Sequence, residues 1–323
     1  MIEILTSGQM NSVQDLGRPG YLDQGIGAGG MMDRPALRLA NLLVGNEQGA
    51  AGLEITIFPF RLRFLQPCMF AVTGADVDCR LNDTPLPPWW AAGAQAGDEL
   101  RIGPPKSGAR AIIAFSGGID VPMVLGSRST DLKSLFGGLD GRALMRGDRL
   151  ALGMSPNVET RHEAGHGADP AALRLNPTDL RIMPGAEFDA FTEEGRRALL
   201  SRPFTVSRDN NRQGMRLEGP ALTLTRKLEL HSHGIMPGTV QVPPSGQAVI
   251  QLAEANTCGG YPKIAHVIEA DLWKLAQAPS GAALSFVAVD RGQAVAALRL
   301  QELQIRRLKT LMPLAAAAAR KAG

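Results

Sequence analysis

The chain is poor in cysteine and in aromatic side chains, with 3 Cys and only 5% Phe, Trp and Tyr in 323 residues. Cys68, Cys79 and Cys258 are an odd set without a C-x-x-C pair, which argues against a disulfide framework and for a reducing compartment. With no signal-peptide pattern at the start, a cytoplasmic location is expected. Long apolar runs are missing too: none approaches the roughly 20 residues of a membrane-spanning helix, so no membrane partner is expected, and LMPLAAAAARKAG at the C-terminus reads as a frayed helix. Charge of one sign is nowhere concentrated. The formal net charge of +3 is spread along the sequence without the basic block that would mark a nucleic-acid partner. Two catalytic signatures are absent as well. There is no G-x-x-x-x-G-K-[ST], so any handling of ATP proceeds without a P-loop, and no G-x-S-x-G elbow, since Ser116 before Gly117-Gly118 lacks its leading glycine.

What is present is glycine and proline, 37 and 22 residues, punctuating short apolar segments. In the first half Leu53–Phe58 alternates apolar and polar side chains, and Met69–Thr73 and Ala111–Phe115 are short apolar runs, the pattern of strands in a barrel or sandwich. Ala96–Gly103 and Arg146–Gly153 each place a Gly-Asp turn before a short strand, an echo that fits two related halves. The composition shifts to Pro, Gly, His and Ala around SPNVETRHEAGHGADPAALRLNP. We therefore divide the chain into residues 1–155, a linker or excursion at 156–178, a second subdomain at 179–295 and a helical tail at 296–323. In the second half strands are expected at Leu180–Met183, Leu222–Leu224 and Val249–Leu252, and a short helix near Phe188–Leu200. A longer helix is expected at Ile264–Gln277, from the spacing of Ile264, Val267, Ile268 and Leu272.

The segment from Asn11 to Asn46 is the richest in chemistry. Gly25, Gly27 and Gly30 satisfy G-x-G-x-x-G, but a turn-rich, charged stretch precedes them where a dinucleotide fold needs a buried strand. Asp33 is suited to cap a helix with Pro35 in its first turn, and Gly45 to end it. Asn41 falls on the apolar stripe of that helix, where a buried amide must find partners in backbone or ligand. Asp15 and Arg18 stand among glycines just upstream. Ser127 and Arg128 lie in a hydroxyl-rich turn able to hold an anion or simply knit itself together. Arg212 sits in a polar loop, and Lys263 follows Gly259-Gly260-Tyr261-Pro262 at what reads as a helix N-terminus. His231 and His233 are two apart on a strand with no third ligand near, and His162 and His166 read as solvated; no metal is expected.

Ordered blocks carry a resemblance. Val13-Gln-Asp-Leu-Gly-Arg-Pro-Gly-Tyr21, Met32-Asp33, Ala40-Asn-Leu-Leu-Val-Gly-Asn46, Leu53-Glu54, Thr73-Gly-Ala75, Gly126-Ser-Arg-Ser-Thr-Asp131, Arg212 with Gly214 and Arg216-Leu217, Gln241-Val-Pro243 and Gly259-Gly-Tyr-Pro-Lys-Ile-Ala265 resemble the carboxyltransferase-domain subdomain A and B family. That family is also known as allophanate hydrolase subunit 2, and the resemblance covers residues 1 to about 295. It implies a mainly β fold with a few helices, built as tandem cyclophilin-like β-barrel subdomains with a pocket between or beside them. It also implies work as the C subunit of an ATP-dependent 5-oxoprolinase-type complex, converting 5-oxoproline, ATP and water to L-glutamate, ADP and phosphate. The partners implied are the B-like (KipI-type) protein and the A-like protein of such a 5-oxoprolinase, and the substrate class is a small cyclic amide or carboxylate. ATP is then the cofactor of the complex.

On that reading Arg212 and Lys263 neutralise anions and Asp33 serves as acid/base or as partner of the substrate amide. Asn41, Ser127 and Gln241 orient the substrate, and Asp15, Arg18, Arg128, Gly259, Gly260 and Tyr261 line its site, with Arg212 and Gly259–Lys263 facing Asp15, Arg18, Asp33 and Asn41. Two other readings remain: a carboxyltransferase module of the urea carboxylase type, for which biotin would be the cofactor, and a KipA-type regulator that binds an inhibitor of a histidine kinase. The chain departs from the family at Gly30-Met-Met-Asp33, Asn256-Thr-Cys258 and Ser232-His-Gly234. A thiol at Cys258 and an imidazole at His233 alter local hydrogen bonding and charge.

Overall fold

The computed structural model describes residues 1–154, 165–169 and 179–322, the side chains of 312–322 excepted. The chain forms two compact units. One comprises Met1–Arg18, Gly29–Leu173 and Leu303–Gly323, the other Pro19–Ala28 and Arg174–Glu302.

The first unit is a ten-stranded sheet. Its strands are β1 (Ile2–Thr6), β2 (Ser12–Gln14), β3 (Gly52–Ile55), β4 (Phe60–Phe64), β5 (Cys68–Leu81), β6 (Thr84–Leu86), β7 (Trp90–Ala94), β8 (Glu99–Phe115), β9 (Arg149–Leu150) and β10 (His166–Gly167). The main path runs β10-β7-β5-β8-β4-β1-β9, with β3 pairing β8 and β2. Where residues 70–74 of β5 pair antiparallel with residues 111–115 of β8, both faces are buried, and alternation of side chains along a strand explains how. Phe70, Val72, Ile113 and Phe115 join one cluster with Phe60 and Phe64, whereas Ala71, Ile112 and Ala114 join another on the opposite face. Phe64 stacks near Phe70 and Phe115, with ring centroids 5.1 and 6.2 Å away, in the offset and edge geometries that aromatic quadrupoles favour. On the alanine side the small residues admit helix α1 (Arg34–Leu43), which buries Ala36, Leu37, Leu39, Ala40 and Leu43.

The second unit holds a closed seven-stranded barrel in the order β11-β18-β15-β16-β13-β12-β19. The strands are β11 (Asp179–Pro184), β12 (Phe204–Val206), β13 (Gly214–Glu218), β15 (Thr239–Gln241), β16 (Val249–Gln251), β18 (Lys263–Val267) and β19 (Ala283–Ala288), and β14 (His233–Gly234) pairs β17 (Cys258–Gly259) apart from it. Helices α2 (Glu193–Ser201) and α3 (Leu272–Gln277) belong to this unit; α4 spans Arg291–Ala322. The Phe204 and Phe286 rings lie 5.7 Å apart between centroids, and Leu180, Ile250, Ile264 and Val267 on the barrel strands are buried. With 35% strand and 19% helix the chain is mainly β.

Three expectations are corrected. The helix foreseen over Ile264–Gln277 is strand β18 through Val267, a 3-10 turn at Glu269–Asp271 and only then α3. Ile264, Ala265, Val267 and Ile268 are all buried, and such a run fits a strand buried on both faces as well as it fits one helical face. Lys263 therefore opens a strand and does not stand at a helix N-terminus. Second, both Gly-Asp echoes lie in the first unit. They are repeated turn chemistry: Gly97 and Gly147 take positive φ, and Asp98 and Asp148 accept from the backbone N–H of Gln95 and Met145. Third, His166 is not solvated: it lies on β10, half-buried, with Nε2 2.8 Å from the Leu43 carbonyl. His162 and most of 156–178 lie outside the described residues.

Candidate functional site

In the first unit the polar residues around the glycine loop are bound to one another. Asp15 Oδ1 accepts from the hydroxyls of Ser127 and Ser129, both at 2.6 Å, and from Gly17 N at 2.7 Å, while Oδ2 accepts from Arg128 N at 2.6 Å. One carboxylate thus ties β2's trailing end to the turn at 127–129. Arg18 is fully buried, donates to the Ser129 carbonyl and lies over the Phe136 ring at 4.5 Å. The Arg128 side chain turns to Val121 O at 2.9 Å and Asp120 at 3.2 Å.

Asp33 and Asn41 do what the helix demands of them. Asp33 caps α1 by accepting from Ala36 N at 3.0 Å. Asn41 donates to Gln48 O and Ala50 O at 3.2 and 2.8 Å and accepts from Asn46 at 2.9 Å. Asp33→Ala is expected to lower stability by about 1 kcal/mol. Asp33→Asn should melt close to the parent, because asparagine caps as well as aspartate. Thermal denaturation checks both, and the turnover of the Asn variant isolates any chemistry that the carboxylate performs.

The second unit assembles a different group. Lys263 and Gln241 are register partners across β18 and β15, at a bulge between Val240 and Gln241, and cross-strand partners place their side chains together. Both are buried, at 5% exposure. Lys263 Nζ donates to the carbonyls of Gly259 at 2.9 Å and Tyr261 at 3.3 Å, and lies 3.4 Å from His233 Nδ1. Burial pulls its ammonium below the ordinary lysine range, and the nearby Glu187 carboxylate opposes that shift. Glu187 anchors both neighbours: Oε2 accepts from Lys263 N at 2.8 Å, and Oε1 lies 3.5 Å from His233 Nε2. Gly185 makes this approach possible, since a Cβ there would meet the Lys263 carbonyl oxygen at 2.1 Å. Tyr261 is half exposed at 50%, and Gly259 and Gly260 are partly buried. Arg212 lies in the loop before β13 and pairs with Glu254 at 2.5 Å, both side chains 3% exposed.

The candidates therefore fall into two sets. Asp15, Arg18, Ser127 and Arg128 form one network in the first unit, which also holds Asp33 and Asn41. Lys263, Gln241, Gly259 and Tyr261 come together in the second. Glu187 and Gln251, which complete that cluster, were not singled out in the sequence; each lies in an ordinary turn or strand, and only tertiary pairing reveals them. Among the described residues no group of three or more His, Cys, Asp and Glu is disposed to hold a metal ion, and no helix is long and apolar enough to cross a membrane.

A tandem of strand-rich units carrying this cluster agrees with comparison to known proteins. Residues 24–288 match the family described as carboxyltransferase domain, subdomain A and B, and the chain belongs to that family. It is 41% identical to the C subunit of 5-oxoprolinase from Escherichia coli (strain K12), over 94% of this chain and 96% of that protein. It is 38% identical to the C subunit of 5-oxoprolinase from Haemophilus influenzae, over 95% and 98%. Among solved structures, the K. lactis urea amidolyase superposes with a TM-score of 0.87 at 32% identity, covering 95% of this chain and 20% of that one.

Proposed function

We propose that the chain acts as the C subunit of an ATP-dependent 5-oxoprolinase-type complex in the cytoplasm, together with A-like and B-like partners. The observation that carries this reading is the near end-to-end similarity, at 41% and 38% identity, to two proteins named as the C subunit of 5-oxoprolinase. The chemistry of the Lys263 cluster supports it. Amide resonance makes a lactam resist water. Transfer of the γ-phosphoryl group to the lactam oxygen forms an O–P bond, releases ADP and leaves the ring carbon open to attack by water. Breaking of the C–N bond then opens the ring to an acyl phosphate, and a second water releases phosphate and glutamate. These steps need a cation and neutral donors where negative charge gathers on oxygen. Lys263 supplies the charge and Gln241 a donor, whereas Asp15 and Asn41 are engaged in holding the first unit together.

Reconstitution tests the reading. Glutamate and ADP should form together only when the chain, both partners, 5-oxoproline and ATP are all present. Equal turnover by the chain alone would overturn the need for partners. Carboxyl transfer from carboxybiotin, with no 5-oxoproline-dependent ADP release, would favour the urea carboxylase type instead.

A further inference from the structure

Gln241 is held asymmetrically. Its Oε1 accepts from Gln251 Nε2 at 2.9 Å, which turns its own nitrogen the other way. That Nε2 is buried and has no hydrogen-bond partner among the described residues, although buried amide donors are nearly always satisfied in native folds. Gly259 and Ile235 lie beside it: a Cβ built on that glycine would stand 3.0 Å from Nε2 and 2.6 Å from Ile235 Cδ1. Lys263 Nζ donates to the carbonyl of the same glycine. An unfilled donor and a buried ammonium thus flank one residue that has no side chain.

Lys263 Nζ already donates to Gly259 O and Tyr261 O, and lies 3.4 Å from His233 Nδ1, which is itself 3.2 Å from the His231 carbonyl. The ammonium therefore contributes charge, and the free N–H comes from Gln241. A primary amide has donor and acceptor ends of nearly equal size, so only its neighbours decide which end it presents. Here the neighbour is Gln251, one strand away on β16 and paired to β15 in the barrel.

We propose that Gln251 is a positioning residue that fixes the Gln241 amide so that Nε2 donates to the carbonyl oxygen of a lactam held beside Lys263. This rests on the 5-oxoprolinase reading for the identity of the lactam. Gly259 and Ile235 limit the space on that side, so a side chain at 259 would press on both Ile235 and the Gln241 amide.

The test is calorimetric titration of the full chain, alone and with its partners, using 5-oxoproline, 2-pyrrolidone and proline. The second has the lactam carbonyl without the carboxylate, and the third the carboxylate without the lactam carbonyl. In Gln251→Glu the new carboxylate accepts from Gln241 Nε2, reverses the amide and presents Oε1 to the ligand. Binding of 5-oxoproline and 2-pyrrolidone should weaken by about tenfold or more, with proline unchanged. Gln251→Met, which keeps the volume and orients nothing, should show a smaller loss of the same pattern and serves if the glutamate variant fails to fold. Unchanged binding of both lactams, or equal loss for all three ligands, would overturn the proposal, as would a parent protein that binds neither lactam. Gln251-dependent binding of 2-pyrrolidone in a complex that does not turn over 5-oxoproline would sustain the positioning role and refute the oxoprolinase reading.

Discussion

Lys263→Met is expected to lower 5-oxoproline turnover by the assembled complex by about 10²- to 10³-fold, the effect of removing one preorganised group from a site where oxyanion charge develops. Methionine retains the apolar stem, so the strand and its neighbours keep their packing, while the charge aimed at Gly259 and Tyr261 is lost. Lys263→Arg should not rescue. A planar guanidinium cannot replace a compact ammonium held by two carbonyls and an imidazole nitrogen. The loss should fall on kcat more than on KM, because a group that acts on developing charge stabilises the transition state preferentially. Steady-state kinetics with melting curves measures this, and a methionine variant within a few-fold of the parent would remove Lys263 from the reaction.

The second large effect concerns stability. Glu254→Ala takes the carboxylate away from a guanidinium that is 3% exposed, and breaking a buried pair on one side costs about 3–5 kcal/mol. The damage should spread along the backbone, since Glu254 N donates to Arg212 O and Leu252 N to Gln213 O, joining the end of β16 to the loop before β13. Replacing both partners, Arg212→Met with Glu254→Leu, should recover much of that loss, because an apolar pair of similar volume avoids the desolvation of two ions. Denaturant titration gives the stabilities. Turnover of the double variant then decides what Arg212 does: a stable but inactive protein assigns it to the substrate, and a stable, active one assigns it to the scaffold.

The sequence carried the β class and the family because both are written locally. Strand runs such as Met69–Thr73 and Ala111–Phe115 lie within β5 and β8, and Asp33, Pro35 and Gly45 delimit α1 as their cap and turn chemistry requires. The candidate site was legible only in part. Lys263 and Gln241 are marked by their motifs, but what surrounds them is set by barrel register: Glu187 follows β11, Gln251 closes β16, and His233 reaches Lys263 across 30 residues. Nothing in the spacing of those residues predicts contact. The apolar run after Lys263 misled for a related reason, since a strand buried on both faces and a helix buried on one can share a pattern of hydrophobic residues.

The order in which the two units draw on the chain bears on how the protein is made. The first unit recruits Leu303–Gly323 after the whole of Arg174–Glu302 has gone to the second, and the second recruits Pro19–Ala28 from within the first. Ile305, completely buried, completes the cluster around α1 and the alanines of β5 and β8. During synthesis that cluster must wait, with the places of Ile305 and Leu308 open, until both residues have cleared the ribosome. A nascent chain halted with β19 emerged and Ile305 not should bind hydrophobic-surface chaperones through the α1 face while its barrel can already close.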